Sequence, residues 1–155
     1  MSHYHAKIIW NRNKDDTYID HKYSRGHTWS FDGGVTVPAT ASPHIVPLPY
    51  SVAENVDPEQ AFVASLSSCH MLFFLDIAAR KGLIIDNYTD NAVGIMGKNE
   101  DGKIAMTIVT LRPKISFSGD QKPSFKTLEE LHHKAHELCF IANSVKTEVV
   151  TEIVL

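Results

Sequence analysis

The stretch Asp57–Gly82 constrains the fold of this chain more than any other. It opens with an acidic N-cap residue, a proline at the first helical position and Glu59-Gln60 in the first turn. It closes with Arg80-Lys81 and then Gly82, a suitable C-terminus and left-handed cap. Between these signals Ala61, Phe62, Val63, Leu66, Met71, Leu72, Phe73, Phe74, Leu75, Ile77 and Ala78 leave almost no polar side. A helix apolar all round is expected to be central and covered on most faces. Ser65, Ser67, Ser68 and His70 interrupt it, so it reads as too short and too broken for a membrane span. Its one reactive atom is the sulfur of Cys69.

The rest of the chain reads as strands around this helix. Residues 4–10 form a first strand, and Tyr23–Phe31, with His27, Trp29 and Phe31 alternating, a second. Asp32-Gly33-Gly34 is a hairpin turn into Val35–Pro38. Residues 38–56 hold four of the seven prolines and form a long loop, a kind of segment that is usually functional or mobile. After Gly82, residues 83–88 are a short connection or strand. Asn91–Gly97 and Ile104–Leu111 pair as antiparallel strands, and Pro113 marks an edge, bulge or bend. Ser124–Cys139 is a second helix with Leu128, Leu131, Ala135 and Leu138 on one stripe, capped by Thr127–Glu130 or by Ser124. Val145–Leu155 is a final strand. Three strands, helix, two strands, helix, strand is an α+β order with largely antiparallel pairing.

A chain of 155 residues, 43% hydrophobic and 21% charged, fits one soluble globular domain over residues 1–155. A net charge of -3 without a basic run argues against nucleic acid as a partner. Met1–Ile9 lacks the pattern of a signal peptide, so a cytoplasmic location is expected, with no membrane partner.

Only two cysteines occur, Cys69 and Cys139. They are either two buried inert thiols or a redox pair. Mid-helix, Cys69 gains little from the helix dipole, so a thiolate there needs another cation. Arg25, beside Gly26 in the second strand, is a candidate for that fixed charge or a solvated strand residue. Cys139 is either a core residue or a resolving thiol, which would have to approach Cys69 to disulfide geometry. Glu59 suits dipole compensation, and it lies about 15 Å along the axis from Cys69 on a continuous helix. It can therefore meet that sulfur only from a second copy, through two central helices crossing about a two-fold axis. His132, His136 and Cys139 have spacings that zinc could use, but no Cys-x-x-Cys pair completes a structural site. His70 points about 100° away from Cys69 around the helix and is a poor base for it.

Asp57-Pro-Glu-Gln-Ala-Phe-Val-Ala-Ser-Leu-Ser-Ser-Cys-His-Met-Leu, Ala135-His-Glu-Leu-Cys-Phe-Ile-Ala-Asn-Ser-Val, and Ser24-Arg-Gly-His with the Asp-Gly-Gly turn resemble the OsmC/Ohr family, the osmotically inducible and organic hydroperoxide resistance proteins. The resemblance implies an α+β, OsmC-like fold with antiparallel sheets around two central helices, built as an intertwined homodimer. It implies thiol-dependent reduction of organic hydroperoxides without a cofactor or metal, and a dithiol reductant of the lipoyl type. Cys69 then matches the peroxidatic cysteine, Cys139 the resolving one, Glu59 the glutamate near the helix start and Arg25 the thiolate-stabilising arginine. The 39–56 segment and the Ser-Ser-Cys-His-Met-Leu context resemble a general OsmC-like branch more than the Ohr branch. The alternatives are a non-enzymatic binding or stress protein with two buried thiols, and a metal protein using His132, His136 and Cys139.

Overall fold

A computed structural model describes all 155 residues. The chain is α+β and forms two compact units, Met1–Ala61 and Phe62–Leu155.

The first unit is an antiparallel three-stranded sheet in the order β1 (Ala6–Ile9), β2 (His27–Phe31), β3 (Thr36–Ala39). The two hairpin strands meet at the Asp-Gly-Gly turn, with Gly34 at φ 87°. The loop after β3 is tied down by backbone polar groups. Thr40 N–H donates to Val56 O, Val56 N–H to Pro38 O, and Val52 N–H to the Thr40 hydroxyl. Between β1 and β2, Tyr18 stacks on Tyr23 and Trp10 meets Tyr23 edge-on, with Trp10 Nε1 donating to Ser24 O at 2.9 Å.

The central helix, α1 (Pro58–Arg80), starts where the sequence places it. Asp57 and Gln60 form a reciprocal capping box: Gln60 N–H donates to Asp57 Oδ1, and Asp57 N–H to Gln60 Oε1. Gly82 closes it at φ 75°. The helix is not covered on most faces. Only Leu66, His70, Phe74 and Ala78, one row at i, i+4 spacing, are buried, and Leu72 is 60% exposed. One chain has too few elements to wrap every side of so apolar a helix. At 23 residues α1 is also long and apolar enough to cross a membrane by length and composition, contrary to the reading of it as too short. Two of its polar residues, however, bond to other elements of the fold: the Ser67 hydroxyl donates to Asp90, and His70 meets His132.

Four strands, not two, lie between α1 and the second helix: β4 (Ile84–Asp90), β5 (Val93–Lys98), β6 (Ile104–Leu111) and β7 (Pro113–Ser118). β6 ends at Leu111 as expected, and Pro113 sits at the first position of a further strand, where its missing N–H costs no ladder bond. The break at Arg112 lets the chain change sheets, since β7 pairs antiparallel with β4 while β6 pairs antiparallel with β5. The second helix, α2 (Phe125–Leu138), is capped by Ser124, whose hydroxyl accepts from Thr127 N–H. Thr127–Glu130 is therefore not the cap. A short 3-10 turn (Ala142–Ser144) leads to β8 (Glu148–Thr151), which runs parallel to β6.

Two clusters make the core of this unit. Phe74 and Ala78 of α1 pack on Leu131 and Ala135 of α2. Leu66 of α1 packs on Val109 and Leu111 of β6. Burying the larger of these, Leu66, Phe74, Val109, Leu111 and Leu131, stabilises by roughly 1.5–3 kcal/mol each. Both helices thus present a stripe to each other, and the cysteines ride on that contact.

Candidate thiol site

Cys69 lies mid-way along α1 and is half-buried; Cys139 is the C-cap residue of α2 and is buried. The α1–α2 contact brings the two side chains near enough for Cys69 to act on the Cys139 thiol, and both are free thiols. The backbone turn after α2 shapes the second half of the site. Cys139 N–H donates to Ala135 O at 2.9 Å, and the chain then folds back so that Ala142 N–H donates to Cys139 Sγ at 3.4 Å.

Burial pushes the Cys139 thiol up to about 11. The Ala142 N–H opposes this by favouring the thiolate, while the neighbouring Cys69 reinforces it by hydrogen bond and by charge. Cys139 is thus held protonated at neutral pH.

Arg25 and Glu59 belong to the first unit. The Arg25 guanidinium lies over the Tyr23 ring, 3.6 Å from its centroid, and Nη1 donates to His21 O at 2.7 Å and Tyr23 O at 2.5 Å. His21 offers that carbonyl from a left-handed backbone, φ 65°. Arg25 lines a cavity of about 460 Å³ with Ile8, Trp10, Tyr18, Tyr23 and His27. Glu59 occupies the first turn of α1, and its Oε2 is buried with no hydrogen-bond partner. No ion pair joins Arg25 to Glu59 within the chain. Because α1 is unbroken, Glu59 is about 15 Å along the axis from Cys69.

The structure does not gather His132, His136 and Cys139 into one cluster: no three His, Cys, Asp or Glu side chains are grouped to hold an ion. Two of the three are turned elsewhere, His132 Nδ1 to His70 Nε2 at 2.9 Å and the Cys139 thiol to Cys69.

The His70–His132 pair is the feature that sequence reasoning missed. Its signal was present. His70 falls on the row Leu66, Phe74, Ala78, and His132 lies beside Leu131 and one turn from Leu128 and Ala135, so both occupy core positions.

A family model described as OsmC-like protein matches residues 52–154, about two thirds of the chain, and takes in Glu59, Cys69 and Cys139. The chain belongs to the OsmC family. Among solved structures, an OsmC-like protein of unknown function from Vibrio cholerae O1 biovar eltor is 59% identical, with a TM-score of 0.98 over 99% of this chain and 100% of that one. An organic hydroperoxide resistance protein OsmC from Legionella pneumophila matches at 15% identity and TM-score 0.70, over 100% of both chains. The organic hydroperoxide resistance protein OhrB of Bacillus subtilis matches at 19% identity and TM-score 0.66, over 97% of this chain and 98% of that one. The last two matches show the OsmC fold alone. No match was found among curated proteins.

Proposed function

We propose that this OsmC-family chain is a two-cysteine, thiol-dependent peroxidase acting on organic hydroperoxides. The meeting of the Cys69 and Cys139 side chains across α1 and α2 carries this reading. Inert core thiols have no need to neighbour one another, and here one thiol is half-buried while the other is sealed.

The chemistry divides between them accordingly. Cys69, as thiolate, attacks the outer peroxide oxygen. The O–O bond breaks, the alkoxide leaves and takes a proton as the alcohol, and Cys69 becomes a sulfenic acid. Cys139 attacks the Cys69 sulfur; the S–S bond forms, and the hydroxyl leaves with the Cys139 proton as water. Oxidation of Cys69 removes its negative charge, and with it one of the influences that keep Cys139 protonated. An external dithiol of the lipoyl type then reduces the disulfide by exchange. No cofactor or metal enters the scheme.

Arg25 is assigned as the fixed cation for the thiolate and Glu59 as the carboxylate that orients it. The working unit is a homodimer. Two observations support a second copy: the exposed apolar side of α1, and a buried Glu59 oxygen without a partner in its own chain. Turnover of an alkyl hydroperoxide with a dithiol reductant tests the proposal. Consumption with reduced lipoamide is expected; inertness toward alkyl hydroperoxides with every dithiol would leave the non-enzymatic reading.

A further inference from the structure

Two buried histidines join the helices that carry the thiols. His70 of α1 follows Cys69 directly, and His132 of α2 precedes Cys139 by about two turns. His70 Nε2 and His132 Nδ1 are 2.9 Å apart, and the rings stack with centroids 5.3 Å apart at 11°. Phe74 stacks on His132 at 4.3 Å. Both histidines are almost fully buried, and the other nitrogens, His70 Nδ1 and His132 Nε2, are buried without partners.

Counting protons shows what this arrangement tolerates. Two neutral imidazoles carry two N–H groups. One closes the shared bond, and the other has no acceptor in either tautomer. A further proton adds a charge and another N–H with nowhere to point. The surrounding groups do little to help. Asp90 of β4 favours the charge, but its carboxylate already accepts from the Ser67 hydroxyl and the Arg112 N–H. His136 of α2 opposes the charge. Tyr88 of β4, packed on Phe74, keeps its buried hydroxyl neutral and unpartnered. Glu129 and His133 line the cavity that His132 also borders, and His133 pairs with Glu137. No ion pair reaches either ring of the dyad.

We propose that His70 and His132 are positioning residues that form an acid-sensitive clasp. Neutral, the pair holds α1 against α2 and keeps Cys69 beside Cys139; protonated, it releases the helices and separates the thiols. Only the consequence for peroxide turnover rests on the peroxidase reading. Burial, the main cause for both rings, already holds His70 at about 4 and His132 at about 3, with His136 and His70 respectively acting in the same direction.

The test reads the position of Cys139 without using peroxide. In a Cys69→Ser chain, the reaction of Cys139 with 4,4′-dithiodipyridine is followed from neutral pH into acid, normalised to the denatured chain at each pH. Exposure of Cys139 is expected to rise about tenfold or more, the equivalent of one unit of linked proton binding. The rise should disappear when His70→Leu and His132→Leu are added. An equal rise in both chains, or none in the first, overturns the clasp. Should the leucine chain fail to fold, imidazole nitrogen NMR of the unaltered chain decides. Rings that stay neutral until Cys139 becomes reactive support the proposal. Rings that take protons at the ordinary histidine pH in an intact fold overturn it. Inactivity toward peroxides would leave both results standing.

Discussion

The Cys139 thiol neighbours that of Cys69, yet the two are unequally placed: Cys139 is sealed under the turn after α2, and Cys69 is half-buried on α1. On the proposed peroxidase reading, this asymmetry matches the different tasks of the two sulfurs. It also means that substitutions at the two positions should not be equivalent.

Cys69→Ser is expected to reduce hydroperoxide consumption to the uncatalysed rate. Cys139→Ser should still consume about one equivalent per chain and stop as a sulfenic acid, the first rung of the oxidation ladder. Stopped-flow consumption and a sulfenic-acid trapping reagent distinguish the two outcomes. Equal, complete loss in both variants would contradict the division of roles.

Arg25 makes no ion pair in its own chain. If its charge supports the thiolate, Arg25→Gln should move the acid limb of the pH–rate profile upward by about 1–3 units, the range for losing a neighbouring opposite charge. An unmoved limb with an unchanged rate would remove Arg25 from the mechanism.

Stability should fall in acid. The folded values of His70 and His132, about 4 and about 3, lie below the ordinary histidine value of 6.5. The unfolded chain therefore binds protons that the folded chain refuses. Stability is fully present above pH 6.5 and is lost as the pH falls from there toward the folded values. The slope is about 1.4 kcal/mol per pH unit for each histidine, so the loss by pH 5 is about 4 kcal/mol. Urea midpoints across this range measure it; a flat profile would contradict the buried neutral pair.

Removing one histidine and removing both should have opposite consequences. His132→Ala leaves His70 buried with no partner and opens a space beside Phe74, and should cost about 2–4 kcal/mol. Replacing both by leucine also removes the two orphaned nitrogens, and should be close to neutral or stabilising, as when both partners of a buried polar pair are exchanged for apolar groups. Chemical denaturation at neutral pH compares the three chains.

The exposed side of α1 carries the expectation of a homodimer. Leu72 is 60% exposed and Phe140, packed edge-on to Phe73, is 71% exposed. Leu72→Asp should convert a dimer to a monomer in sedimentation. A wild-type chain that sediments as a monomer at micromolar concentration would contradict the assembly.

Much of this was legible in the sequence, for local reasons. Asp57-Pro58-Glu59-Gln60 and Gly82 bounded α1 because capping chemistry is local. Cys69 and Cys139 stood out because they are the only sulfhydryls and fall on separate helices. The missed strand β7 had no turn to announce it: the chain changes sheets at Arg112-Pro113 within one β-rich run. The histidine pair was missed because it depends on contact across 62 residues, and nothing near His70 indicates that His132 will meet it. The narrow buried stripe of α1 was missed because apolar composition reports what must be covered and not which chain covers it.

The most direct test of the account is the mass and peptide map of the reduced protein after one equivalent of an alkyl hydroperoxide. The expected result is rapid loss of two hydrogens, mapped to a bridge between Cys69 and Cys139. Peroxide that persists while both thiols remain free would contradict the peroxidase reading at its centre.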